Sequence, residues 1–104
     1  MTLEKFNESI VEQLTYCADL LTAKGKEYAP DAEIDRLACF KVAAVLQDET
    51  PKEALCGMLA KHLVSVYEMC RSKETYSLEK WTEKITDSIN YLLILKAMVE
   101  DEAE

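Results

Sequence analysis

Only two glycines and two prolines interrupt this chain of 104 residues. An all-β fold reverses direction every few residues and needs turn formers to do so, so their scarcity points to a few long helices. The apolar residues agree. Leu3, Phe6, Ile10, Leu14, Cys17 and Leu21 recur at spacings of three and four, which marks one helical face and predicts a helix from Leu3 to Lys24. Thr2 is placed to cap its start, and Gly25 to end it in a left-handed turn. Proline disfavours helix in the residue before it, so Pro30 or Asp31 opens the next predicted helix, which extends to Leu46. Its inward line is Ile34, Leu37, Ala38, Ala44 and Val45, flanked by Phe40 and Val42 and interrupted by Lys41.

The next start is the most explicit. Thr50, Pro51 and Glu53 form a capping box with proline at the first helical position, and the helix they open runs to Arg71 with Leu55, Leu59, Leu63, Val66 and Cys70 inward. Gly57 within it marks the close approach of another helix. Ser77 caps the last helix, with Tyr76 and Trp81 spaced as a hydrophobic staple. That helix extends to about Glu100, with Trp81, Ile85, Ser88, Leu92, Leu95 and Val99 inward and an acidic, fraying tail over residues 100–104. The fold expected is all-α: one compact domain, residues 1–104, built like a four-helix bundle. From Ile89 onward the last helix is apolar on almost every side. One small bundle covers only part of such a surface, so a homodimer formed through this helix is expected.

Charge and cysteine usage narrow the function classes. The formal net charge of −8 repels phosphate backbones, which disfavours nucleic acid as a partner. Charges run through the first predicted helix, unlike the apolar core of a signal peptide, and no apolar run is long enough to span a bilayer. A cytoplasmic protein with no membrane partner is expected. Cys17, Cys39, Cys56 and Cys70 contain no CxxC pair and accompany a single histidine, so reduced, buried cysteines are expected rather than disulfides or zinc.

Three polar features stand out. Glu83, Asp87 and Asn90 share one helical face with Tyr91 at its edge; that row is either a solvated face or a set of carboxylates holding a cation or a lysine. On the third helix Lys61 lies on the polar side and His62 at the polar–apolar boundary. Lys41 interrupts an apolar stripe, and where its ammonium leaves water it needs an anion, for which Asp87 or Glu83 is the natural candidate. Lys26 and Tyr28 add a polar, aromatic pair after the first helix. The chain contains no nucleophile elbow, phosphate-cradling glycine loop or HExxH motif, so no catalytic or metal-ligating residue is assigned.

The stretches KGKEY, DRLACF, AKHLVSV and WTEKITDSINYL, in this order, resemble a group of small phage and prophage helical proteins. The matching positions are Lys24 or Lys26 with Tyr28, then Phe40, Lys61, and Asp87 with Tyr91. That group is distantly similar to MazG-like pyrophosphohydrolases and nucleotide-modification-associated domains. The resemblance implies a nucleotide with Mg2+ at Lys41, Lys61, Glu83, Asp87 and Tyr91. The chain departs from that pattern, because no Glu-Glu-x-x-Glu occurs and Glu83 and Asp87 stand four apart. Two readings follow: a non-catalytic interaction protein that works through oligomerisation and a protein partner, or a nucleotide-handling protein.

Overall fold

A computed structural model describes residues 1–28 and 34–104, with the backbone alone at Tyr28. Among these residues all regular structure is helical: α1 spans Leu3–Tyr28, α2 Ala38–Leu46, α3 Pro51–Arg71 and α4 Leu78–Ala103. The predicted all-α, four-helix domain is the architecture found. α4 lies between α1 and α3, and α2 packs on α3. Gln13 meets Thr86, and Leu21, eight residues on, lines a groove with Ile94, so α1 and α4 run the same way. His62 faces Asp87 and Tyr91 while Lys52 reaches Glu102, so α3 and α4 run in opposite directions.

The helix starts follow local chemistry. Thr2 Oγ1 accepts from the Lys5 amide at 3.1 Å, closing the first turn of α1. The capping box on α3 is complete: Glu53 donates its amide to Thr50 Oγ1 at 3.2 Å, and the Thr50 amide reaches Glu53 Oε1 at 3.1 Å. That amide lowers the Glu53 pKa below its ordinary value, with the Thr50 hydroxyl acting the same way. Ser77 accepts from the Lys80 amide, and the Tyr76 and Trp81 rings meet edge to face at 5.9 Å, which makes the staple. α2 ends in a Schellman motif. The Glu49 amide reaches the Ala44 carbonyl at 2.8 Å and the Asp48 amide reaches Val45, with Asp48 at φ 54. Aspartate tolerates that left-handed geometry better than most residues.

Several sequence expectations are corrected. Gly25 does not end α1, which continues to Tyr28 with no glycine at positive φ. Its lack of a side chain serves a close approach instead, since a Cβ there would lie 3.2 Å from Arg36 Nε. The proposed start of α2 at Pro30 or Asp31 lies outside the described residues; α2 itself begins at Ala38. The turn before it is held by Asp35, whose Oδ1 takes the Leu37 amide at 2.9 Å and whose carbonyl takes that of Ala38. Residues 100–104 do not simply fray. α4 extends to Ala103 because Asp101 pairs with Lys41 and Glu102 with Lys52.

The inward faces also differ. Leu37, Phe40, Leu55 and Met98 form the apolar core, with Met58, Tyr91, Ile94 and Leu95 against it. The α1 stripe is buried only at Cys17 and half-buried at Leu21; Leu3, Phe6, Ile10 and Leu14 are exposed, because α1 meets α4 only from about Gln13 onward. On α4 the expected line holds in part: Ser88 is buried and Trp81 and Leu95 are half-buried, but Ile85, Leu92 and Val99 are exposed and Thr86, Asn90 and Met98 are buried in their place. Positions 86 and 90 share the flank toward α1, and position 88 is on the other side, toward α3. On α3, Leu63 and Cys70 are exposed and Ala54 and Met69 are buried. Of the four free cysteines, expected to be buried, only Cys17 is; Cys39, Cys56 and Cys70 are exposed.

Two stability predictions follow from this packing. A Cβ at Gly57 meets nothing within 4 Å, contrary to the expected close approach. Gly57→Ala therefore stabilises by about 1 kcal/mol through helix propensity, raising the Tm by several degrees. The buried Thr86 hydroxyl receives Gln13 Nε2 at 2.7 Å. Gln13→Leu costs about 1–3 kcal/mol by stranding Thr86, and Thr86→Val added to it recovers much of that loss; urea unfolding of the single and double variants measures both.

Candidate functional site

α4 presents Asp87, Asn90, Tyr91 and Ile94 at i, i+3, i+4 and i+7, a single helical face. That face forms the floor of a cleft of about 430 Å3. α3 contributes Met58 and His62, one turn apart, and α1 contributes Leu20, Leu21 and Lys24 from its C-terminal half. Arg36, Cys39 and Phe40 close the side formed by the α2 region. The volume lies within the range of small-molecule sites, and the lining has their usual mixture of apolar walls and a few polar groups.

The polar groups are arranged closely. His62 Nδ1 stands 3.7 Å from Asp87 Oδ2, an ionic contact when the imidazole is protonated and longer than a hydrogen bond. The same imidazole packs on Tyr91 with ring centroids 4.9 Å apart and planes tilted by 32°. This contact leaves the ring little freedom. Asn90 is 7% exposed, and its Oδ1 has no hydrogen-bond partner among the described residues. Buried carbonyl oxygens of this kind are nearly always satisfied, so this one is an exception within the floor of the cleft.

Of the residues singled out in the sequence, His62, Asp87, Asn90 and Tyr91 converge here. The expected carboxylate–lysine cluster does not form. Lys41 turns to Asp35 and Asp101, at 2.5 and 3.1 Å, because both carboxylates lie at its own end of the molecule. Lys61 is exposed on α3 and takes no part in the cleft, and Glu83 is exposed in a separate groove with Tyr16 and Leu78. Lys26 is exposed near the end of α1, and the side chain of Tyr28 lies outside the described residues. Among the positions that carry the resemblance, Lys24, Phe40, Asp87 and Tyr91 share the cleft. Arg36 was not foreseen: the sequence places it within the predicted second helix, off its apolar line, whereas it lies in the turn before α2. Leu20 sits at the edge of its apolar stripe and was equally unmarked. Among the described residues, no three His, Cys, Asp or Glu side chains gather in a way that could hold a metal ion, and no helix is long and apolar enough to cross a membrane. No protein-family model, curated protein or solved structure matches the chain.

The Lys41 cluster has its own consequence. The hydrogen bond from Lys41, then that from the Leu37 amide, lowers the Asp35 pKa below its ordinary 3.8. Hydrogen bonds to Asp35 and then Asp101 raise Lys41 above its ordinary 10.5. A depressed carboxylate contributes stability that is complete above its unfolded value and is lost as pH falls through the lower folded value. A raised lysine contributes stability that is complete below its unfolded value and is lost as pH rises through the higher folded one. Asp35→Asn is therefore less stable than wild type near neutrality, and the urea midpoints of the two converge below pH 3.8 and again above pH 10.5. Both groups are solvated, so the gap is small.

Proposed function

We propose that this chain works as a homodimeric helical interaction protein, joined to its second copy along α4. One observation carries the reading. Leu78, Ile85, Leu92 and Val99 stand seven residues apart and are 81%, 37%, 51% and 50% exposed, in one line down α4. This row lies about half a helical turn from Asp87, Ile94 and Met98, on the side away from the cleft. A heptad spacing is the repeat at which one helix meets another along a continuous seam. The partner that carries a matching row at the same spacing is a second copy of the chain, and a two-fold axis lets one patch meet itself. The exposed Leu3, Phe6, Ile10 and Leu14 of α1 add to the apolar surface such a partner can cover.

Sedimentation equilibrium at tens of micromolar tests this reading. A dimer of the 11.8 kDa chain is expected, and Leu92→Glu is expected to return it to monomer while leaving the helix content unchanged. Each copy carries a net charge of −8, so association strengthens as added salt screens the repulsion. A wild-type monomer throughout the range, in high salt as well as low, overturns the proposal.

A further inference from the structure

The exposed row on α4 bears on the direction in which a second copy lies against it. Leu78, Ile85, Leu92 and Val99 are evenly spaced, so the row maps onto itself when reversed about the midpoint between Ser88 and Ile89. Two such rows match parallel, each residue beside its own copy, or antiparallel, with Leu78 beside Val99 and Ile85 beside Leu92. Apolar contact does not choose between these arrangements; charge does. The Lys52–Glu102 bridge sets the start of α3 beside the end of α4, so Asp48, Glu49 and Glu53 gather at the end that holds Glu100, Glu102 and Glu104. Lys41, Lys52 and Lys96 bond to Asp101, Glu102 and Glu100, while Asp48, Glu49, Glu53 and Glu104 have no basic partner among the described residues. At the opposite end of α4 the signs alternate, Glu79 with Lys80 and Glu83 with Lys84.

We infer that the two copies pack with their α4 helices antiparallel, the acidic end of each against the Ser77-capped start of the other. The inference rests on the dimer reading and adds the direction to it. A parallel pair sets two acidic ends side by side and aligns the two helix dipoles. The reversed pair separates those ends and brings each to a helix N-terminus, where negative charge is favoured. Lys96 then gains a second role. It follows Leu92 by four residues and Glu79 follows Leu78 by one, so both lie on the flank of the row toward α1. Reversal sets that flank of one copy beside the same flank of the other. Lys96 comes level with Trp81 of the second copy, two residues from its Glu79, and stands between that carboxylate and its own Glu100. In a parallel pair Lys96 and the second copy's Glu79 lie about 25 Å apart along the seam.

Distances between nitroxide spin labels decide the direction. A label is placed on Glu79→Cys or on Glu100→Cys, both exposed and off the row, in the full chain with the exposed Cys39, Cys56 and Cys70 replaced by serine. The antiparallel pair is expected to give about 30 Å between copies for either label alone. A further component of roughly 15 Å is expected only when the two labelled chains are mixed and left to exchange. About 15 Å for each label alone, with no short component added on mixing, means a parallel pair and overturns the inference while leaving the dimer intact. A sedimenting dimer whose mixed sample lacks the short component overturns it as well. Labelled chains that sediment as monomers and show no coupling remove the dimer reading and the inference together.

Discussion

The fold depends on how α4 buries its polar side chains. Thr86, Ser88 and Asn90 are all removed from water, on two flanks of a helix held between α1 and α3. A buried hydroxyl or amide without a partner costs several times what a made hydrogen bond contributes, so each of the three constrains the structure. Ser88 settles its own case by donating to the Lys84 carbonyl at 3.1 Å one turn back. Thr86 is satisfied from outside the helix by Gln13, and that bond fixes where α1 meets α4 along its length. Asn90 Oδ1 is the third, and it stays without a partner among the described residues, on a residue that lines the cleft. The placing of α1 and the character of the cleft thus have the same origin.

Fixing α1 at Gln13 has a geometric consequence. A helix of 26 residues is about 39 Å long, and the whole molecule measures 43 Å along its longest axis. α1 therefore runs the length of the molecule while gripping α4 only from its middle onward. Its first three turns keep their apolar face but have nothing to set it against. α4 repeats the inversion, with polar residues inward on its flanks and an apolar row outward. A chain arranged like this carries more exposed apolar surface than a solitary helical domain needs, and that surplus is what the dimer reading answers.

Whatever depended on neighbours in the chain was legible in the sequence. The capping box at Thr50, the Ser77 cap, the Thr2 cap and the Tyr76–Trp81 staple all connect residues three to five apart, and the structure contains each of them. The choice of inward face was not local. α4 is apolar around most of its circumference, so periodicity alone gives its axis but not its rotation, and Ile85 was expected where Thr86 is found. Gln13 and Thr86 are 73 residues apart, and nothing near Gln13 announces that it donates to a buried threonine. The same division applies to the site. Glu83, Asp87 and Asn90 were grouped with Tyr91 because they share one helical face; Asp87, Asn90 and Tyr91 remain together, while Glu83, one turn earlier, lies in a separate groove with Tyr16 and Leu78. Lys41 and Lys61 were joined to them across helices by charge alone, and Asp35 and Asp101 lay nearer to Lys41.

The contacts also set where the molecule is held least firmly. The α3–α4 pair has the largest helix–helix contact, continues into the apolar core around Leu55 and Met98, and is tied at its far end by Lys52 and Glu102. α1 has a smaller contact with α4, a side-chain hydrogen bond to it from Gln13 to Thr86, and an uncovered front half. Local opening draws on the elements with the fewest buried apolar contacts, so α1 is the helix whose detachment costs least. One wall of the cleft, Leu20, Leu21 and Lys24, belongs to that helix, while the floor at Asp87, Asn90 and Tyr91 belongs to the best-held one. A molecule seated between them adds contacts where the fold has fewest. Its binding energy would therefore appear as tighter docking of α1, a form of stabilisation that the α3–α4 pair already has from its own packing.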